Sequence, residues 1–351
     1  MNVTSIILAA GEGKRINHKA KGTLIINGEQ LLQRQVRLLA KRNIDSYIVT
    51  GCYKTEIESA ISGCKFIYNP YYQKENWLSL KVALAYFLEK DIKTDFLICD
   101  GDIVYEESLL DQILHQEKTS YLIDFSKKRP DDMGVLLDGN NKVISFSKTG
   151  IGSGIGLIYV KYTDAKILYE KLKKATDNTW WINYLPIDNL ILVKVIKGTK
   201  WTEIDTEEDY NKAKVLFEMS IKLDEVYVEE LFELMNQMKF EGFHLDKRTK
   251  ESEEKVLSKS LSFTVRHNGK LIGYARVWGD FTYYWSVWDV MILPEYQGYG
   301  IGYDLMNCIM SYIKQKSYIK IFLFSAKGKE NFYSNFGFKI SRANVMEIRN
   351  D

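Results

Sequence analysis

The stretch Ile6-Ile7-Leu8-Ala9-Ala10-Gly11-Glu12-Gly13-Lys14-Arg15 is an apolar run that breaks into a Gly-x-Gly-x-Arg turn. A second stretch, Val290-Met291-Ile292-Leu293-Pro294-Glu295-Tyr296-Gln297-Gly298-Tyr299-Gly300-Ile301-Gly302, repeats the theme with different chemistry. Each reads as strand, glycine turn, helix, an order that aims backbone N–H groups and a helix N-terminus at an anion. Two such sites in one chain predict two active sites, and hence a bifunctional enzyme.

Working outward from the first loop, short β-branched runs alternate with amphipathic stretches as far as about Leu216. Thr4–Ala9, Ser46–Thr50, Lys65–Tyr68, Phe96–Cys99 and Tyr121–Asp124 read as strands. Leu31–Arg42, Lys54–Ser62, Ser79–Lys90 and Glu107–Gln116 carry apolar residues at helical spacing. This alternation predicts an α/β, Rossmann-like domain with a mostly parallel sheet, binding ligands at the carboxyl ends of its strands. After Lys148 a glycine-rich segment leads into a strand at Leu157–Val160 and a helix at Asp164–Lys174, and Asp209–Glu218 reads as a closing helix. The expected division is 1–219 and 220–351. The second part opens with a helix at Val226–Met238 and a charged segment, Asp246–Lys255, read as a solvated loop. Antiparallel strands follow at Leu261–His267, Lys270–Trp278 and Tyr283–Leu293, the first two joined at Asn268-Gly269. A helix (Gly302–Lys314), a strand (Ile319–Ser325), a short helix and a final strand complete an α+β domain with a mixed sheet.

The chain of 351 residues has room for two cores. Its 48 Lys and Arg against 46 Asp and Glu leave a net charge of +2, which argues against nucleic acid as a partner. No apolar stretch approaches the roughly 20 residues that span a bilayer. The first residues run straight into a strand without a basic segment or cleavage site. The four cysteines, Cys52, Cys64, Cys99 and Cys308, lack C-x-x-C spacing and read as core residues of a reduced protein. A cytoplasmic enzyme acting on small molecules is expected, with a homo-oligomer allowed.

Around the first loop, Arg15 and Lys21 add positive charge for a triphosphate. The segment resembles the L-A-A-G-x-G-x-R signature of the nucleotidyltransferase superfamily, whose members join an NTP to a phosphorylated small molecule and release pyrophosphate. Ala20-Lys21 stands where the usual Pro-Lys would be. The resemblance implies nucleotide contacts from Leu8, Ala9, Ala10, Gly11 and Gly13, and catalytic roles for Arg15 and Lys21. It also implies Mg²⁺ held by one Asp from each of two segments, Ile98-Cys99-Asp100-Gly101-Asp102 and Glu203-Ile204-Asp205-Thr206-Glu207-Glu208-Asp209, mapped to Asp102 and Asp205. Hard carboxylate oxygens suit that ion. Asp100 either shares the metal or holds Arg15, and Thr206, Glu207 and Asp209 also read as helix caps.

Asn69-Pro70-Tyr71-Tyr72 with Asn76 and Ser79-Leu80 resembles a segment of the phosphocholine cytidylyltransferase-like branch, with the spacing to Ser-Leu one residue shorter. This implies CTP, with Asn76 and Ser79 on the nucleotide and Lys148, Trp180, Trp181 and Tyr184 near the acceptor. An aromatic cluster there holds an ammonium group by cation–π attraction, or else packs a core or a domain interface. The acceptor expected is a small phosphorylated amine or alcohol or a phosphonate; the alternative is a sugar-1-phosphate.

Gln297-Gly298-Tyr299-Gly300-Ile301-Gly302 resembles the Q/R-x-x-G-x-G/A loop of the GNAT acetyltransferase superfamily, and Asn331-Phe332-Tyr333-Ser334-Asn335-Phe336-Gly337-Phe338 its later F-Y-x-x-x-G-F segment. The resemblance implies acetyl-CoA bound by Ile292, Gln297, Gly298, Tyr299, Gly300, Ile301, Gly302 and Asn331, with acetyl transfer to a small amine. Tyr333 then stands where a tyrosine protonates the departing thiolate. Asp289 either serves as base or hydrogen-bonds nearby backbone. Two alternatives stand beside this: a sugar nucleotidyltransferase fused to an amino-sugar N-acetyltransferase, and an active nucleotidyltransferase carrying a non-catalytic GNAT-like module. An oxidoreductase reading fails because G-x-G-x-x-G is broken at Ile16.

Overall fold

In the computed structural model, residues 2–74, 76–126, 128, 131–176, 180–238 and 244–342 are described. The chain divides into two compact units, Met1–Phe217 and Glu218–Asp351.

The first unit is built on seven strands: β1 (Val3–Leu8), β2 (Asp45–Thr50), β3 (Lys65–Tyr68), β4 (Asp95–Asp100), β5 (Ser120–Asp124), β6 (Ser153–Val160) and β7 (Ile191–Lys194). Their order is β7-β5-β6-β4-β1-β2-β3. β1 pairs parallel with both β2 and β4, and β6 alone runs antiparallel to its neighbours β4 and β5. Strands this apolar are covered on both faces. In β1, Ile6 feeds a core with the helices α1 (Leu31–Ala40), α2 (Lys54–Ala60) and α4 (Ser108–Leu114) absent, whereas the adjacent Ile7 packs among them. The Ile6 face is covered by α3 (Asn76–Leu88) and α5 (Tyr162–Lys173). Successive side chains of a strand point to opposite faces, so one strand serves two cores. A third cluster joins Ile16, Ile26, Leu31, Val104 and Ile204 to Ala213 of α6 (Glu207–Glu218). It fastens the glycine loop, through Ile16, to the segments that carry the acidic residues.

One expectation needs correction. No α-helix follows the first glycine loop directly; the chain closes into a short 3₁₀ turn at Lys14–Ile16, and the first α-helix begins at Leu31. Gly13 lies at φ 58°, and a Cβ there would collide with the carbonyl oxygen of Lys19. The carbonyl of Gly13 accepts from the amides of Ile16 and His18, both at 3.0 Å. The loop is therefore held by its own backbone.

The second unit has a five-stranded sheet in chain order: β8 (Ser220–Leu223), β9 (Leu261–His267), β10 (Lys270–Gly279), β11 (Tyr284–Ile292) and β12 (Lys320–Leu323). Pairings are antiparallel except for β11 with β12, which is parallel. Helices α7 (Val228–Met238), α8 (Lys250–Leu257), α9 (Ile301–Lys314) and α10 (Glu330–Ser334) complete the described elements. The expected final strand lies outside the described residues.

The segment read as a solvated loop, Asp246–Lys255, instead carries most of α8. Thr249 and Ser252 form a reciprocal capping box, and Glu253 is only 2% exposed because Arg248 covers its carboxylate at 3.1 Å. A charged run thus becomes a helix by capping and ion pairing, not by apolar periodicity. Among the described residues no helix is long and apolar enough to cross a membrane. Replacing Thr249 by Ala is expected to cost about 1 kcal/mol through loss of the N-cap, measured by urea unfolding of the whole chain.

Candidate functional site

β1 and β4 lie side by side with Leu8 opposite Asp100, and the Gly101 amide donates to the Leu8 carbonyl at 2.9 Å. The glycine loop and the acidic segment therefore leave the sheet at the same carboxyl edge, where open α/β sheets bind ligands. Beyond Asp100, the ribbon Ile103–Tyr105 pairs with Trp201–Glu203, with Glu203 opposite Ile103. The Ile204 amide donates to the Asp102 carbonyl at 2.8 Å. This places carboxylate oxygens of Asp102, Glu203 and Asp205 within 4.8 Å of one another.

Three carboxylates at that spacing repel, and two cations meet them. Lys21 donates to Asp102 Oδ2 at 2.9 Å and to Asp205 Oδ1 at 2.8 Å. Arg15 Nη2 donates to the same Asp205 oxygen at 2.6 Å. Burial works against the charge on Lys21, but Asp102 and Asp205 outweigh it and raise its pKa above the ordinary lysine value. Asp100, turned inward, is pushed up to about 8 by burial and then by the neighbouring Asp102. Arg15 thus pairs with Asp205, not Asp100. Thr206 and Asp209 cap α6: the Thr206 amide donates to Asp209 Oδ2 at 3.0 Å, and the Asp209 amide to Thr206 Oγ1 at 3.1 Å. Asp209 also accepts from the Asp205 amide at 3.2 Å, so the cap fixes Asp205 as well. Glu203 was not among the residues singled out from sequence.

Behind the cluster lies a small cavity of about 50 Å³, reached by Asp100, Glu203, Asn76, Asp132, Tyr121 and Trp180. Gly156, at φ 71°, makes room for the Asp100 carboxylate, against which any Cβ would collide. Asp132 is only 5% exposed. Trp180 and Trp181 differ in burial. Trp180 is half-buried on the cavity wall, with Lys148 Nζ 6.0 Å from its ring centre. Trp181, 2% exposed, lines the same cavity and belongs to the core, and Trp180 and Tyr184 pack at the edge of that core. The Trp181 amide donates to Asn76 Oδ1 at 3.1 Å. Ser79 is buried and accepts from Asn69 at 3.0 Å, which fastens the Asn69–Tyr72 turn to α3. Lys148 pairs with Asp131 at 2.9 Å. Leu8 and Ala9 are half-buried, Ala10 is buried and Gly11 is exposed at the loop mouth.

In the second unit, β11 runs through Ile292 into the turn Pro294–Tyr296, then Gly298 at φ 80° and Gly300 at φ 82°, the N-cap of α9. Ile301 is buried, and a Cβ added at Gly302 would meet Ile292 and Phe332 only at ordinary contact distance. The open helix start faces the loop of Tyr299, an arrangement suited to a pyrophosphate. Gln297 turns back, its amide donating to the Ile292 carbonyl at 2.8 Å. Asn331 lies exposed on α10, where its carbonyl accepts from Ser334 and Asn335. Tyr333 is half-buried beside Phe332 and Phe338, and burial raises its pKa, which keeps the phenol protonated at neutral pH.

Asp289 is engaged by two arginines. It sits at φ 53° in a bulge where β10 pairs Tyr274 with Met291 and Arg276 with Trp288. Arg276 Nε donates to its Oδ2 at 2.5 Å, and Arg248 Nη2 lies 3.7 Å from its Oδ1. Its observed partners are side-chain arginines, not the backbone expected of the hydrogen-bonding alternative.

Two family models match the chain, one within each compact unit. Residues 5–130 match the MobA-like NTP transferase domain, and residues 258–340 match the acetyltransferase (GNAT) domain. An uncharacterized N-acetyltransferase ycf52-like protein of Prochlorococcus marinus is 38% identical over 71 residues, 20% of this chain and 39% of that protein. A bifunctional IPC transferase and DIPP synthase of Thermococcus kodakarensis is 24% identical over 224 residues, 60% of this chain and 49% of that protein. The aligned segments thus span less than half the length of either relative. The solved CTP:phosphocholine cytidylyltransferase of Streptococcus pneumoniae superposes on 62% of this chain and 99% of its own at 19% identity, with a TM-score of 0.48. The chain thus carries one segment that matches the MobA-like NTP transferase domain and another that matches the GNAT acetyltransferase domain.

If Asp289 is held as a clamp, Asp289→Ala strands two arginines and strains a left-handed residue, costing about 3 kcal/mol. Asp289→Gly, which accepts the positive φ, should lie about 1 kcal/mol above it in stability. Denaturant melts of both variants check the difference.

Proposed function

We propose that the first unit transfers CMP from CTP to a small phosphorylated amine or alcohol, or to a phosphonate, with release of pyrophosphate. The observation that carries this reading is the convergence of Lys21 and Arg15 on Asp102 and Asp205, with Glu203 beside them, next to a cavity lined by Asp132 and Trp180. The three carboxylates offer hard oxygen donors close enough together to share one ion, and Asp102, Glu203 and Asp205 would hold Mg²⁺. When bound, that ion would neutralise charge on the α-phosphate and the departing pyrophosphate. The glycine loop would cradle the triphosphate, with Arg15 and Lys21 turned onto its oxygens. The acceptor oxygen is already anionic at neutral pH, so the work is positioning and charge stabilisation, without a general base. A buried carboxylate and an indole lining one cavity suit an ammonium head group, and the acceptor would be phosphocholine, phosphoethanolamine or aminoethylphosphonate. The preference for CTP rests on the resemblance of Asn69–Leu80 to the cytidylyltransferase branch.

The second unit, in the same proposal, transfers acetyl from acetyl-CoA to a small amine. The loop Gln297–Gly302 would hold the pyrophosphate of the cofactor, and Tyr333 would protonate the departing thiolate.

The test is pyrophosphate release with Mg²⁺, crossing four NTPs against amino-phosphates and sugar-1-phosphates. Turnover is expected with CTP and an amino-phosphate, reduced about 100-fold or more in Asp102→Ala and Asp205→Ala. Asp132→Asn should raise the acceptor KM about tenfold, with a smaller effect on kcat. Turnover with a sugar-1-phosphate alone would overturn the acceptor assignment. For the second unit, Tyr333→Phe is expected to lower kcat about 100-fold while acetyl-CoA still binds; no acetyl-CoA binding by the wild-type chain would make the unit a non-catalytic module.

A further inference from the structure

The two cations of the first site rest on the carboxylates, and this has consequences for the order in which ligands enter. Lys21 Nζ bridges Asp102 Oδ2 and Asp205 Oδ1 at 2.9 and 2.8 Å, and Arg15 shares the second of these oxygens at 2.6 Å. A divalent ion bound to either oxygen at about 2.1 Å would come within about 5 Å of the ammonium, from the sum of the two bond lengths. Two cations that close repel strongly in a partly buried setting. Three carboxylates against two cations leave the cluster one negative charge, a weak attraction for a lone dication. An entering nucleoside triphosphate changes both conditions, since its phosphate oxygens give Lys21 and Arg15 another place to go. Lys21 can make that move: it lies on a short turn, Lys21–Thr23, and carries its charge on a flexible four-carbon stem. The Arg15 side chain is 57% exposed and less confined still.

We propose that Lys21 is an exchangeable counter-ion, which neutralises Asp102 and Asp205 in the nucleotide-free protein and passes to the phosphates as the divalent ion and the NTP arrive together. This rests on the nucleotidyltransferase reading of the first unit. Its distinctive consequence is that removing a residue of the catalytic machinery improves metal binding. If Lys21 instead only contacted phosphate, its loss would leave the free protein's metal affinity unchanged.

The probe is Mn²⁺ alone, titrated into the full-length chain without nucleotide and followed by the EPR signal of the free ion. Lys21→Met is expected to bind Mn²⁺ at least about tenfold more tightly than wild type, because a competing, partly buried charge pair is gone. Adding Asp102→Asn to Lys21→Met should abolish the gain, which locates it at this cluster. Equal or weaker Mn²⁺ affinity in Lys21→Met overturns the proposal, as does a gain that survives Asp102→Asn. If circular dichroism shows Lys21→Met unfolded, Lys21→Gln gives the same comparison. Pyrophosphate release by the same wild-type preparation separates the two failures. Turnover without a gain in Mn²⁺ affinity sinks the exchange alone, whereas no turnover with any NTP sinks the reading beneath it.

Discussion

Three carboxylates within 4.8 Å of one another cannot stand in a half-buried site without positive charge between them. Most of the first unit's local structure serves to bring that group together and to compensate it. Asp102 is set by the strand end at Asp100, Glu203 by its pairing across the ribbon, and Asp205 by the cap of the helix that follows. The compensating cations come from one short region, Arg15 on the glycine loop and Lys21 on the next turn. Ile16, fully buried beneath both, anchors that region to Val104 and Ile204. An apolar anchor thus fixes the spacing between opposite charges, so packing and electrostatics are coupled at this one place.

The second unit solves a related problem with less charge. Its sheet carries a bulge at Asp289, and β11 pairs with β12 only through Val287. The strands part where the bulge begins, and Arg276 holds the bulge from the neighbouring strand. Bulges re-aim side chains and end pairing next to active sites. The chain then turns through two left-handed glycines into a 14-residue helix, whose first amides are aimed at the loop. Here the backbone supplies the positive end, where the first unit uses side chains.

Much of the fold could be read from the sequence because its signals are local. Apolar strands alternating with amphipathic helices dictate a doubly covered sheet, and β1 has that form, Ile6 and Ile7 serving opposite faces. The glycine loops and the acidic segments were visible as short motifs. Glu203 was not, because its place depends on a pairing with Ile103 from a distant part of the chain. Asp289 can be named from the sequence, but not its partners, because Arg276 lies on the neighbouring strand and Arg248 precedes a helix that reads as a solvated loop. Glu253 hides in that charged run, and only the contact with Arg248 shows why it is buried. Trp180 and Trp181 are identical in type and adjacent, and both line the cavity and pack on the same core, but only Trp181, at the start of a 3₁₀ turn, is fully buried. Asp132 offered no motif at all; a cavity gives it meaning.

The central claim is that the acidic trio and the two loop cations form one metal-and-nucleotide site. The most direct measurement is a crystal structure with Mn²⁺ and a non-hydrolysable CTP analogue, the metal located by anomalous scattering. The account predicts a metal peak bonded to Asp102, Glu203 or Asp205 and to a phosphate oxygen, with Lys21 moved from the carboxylates onto the phosphates. A nucleotide bound elsewhere, or Lys21 still bridging Asp102 and Asp205 with the metal distant from them, would contradict it.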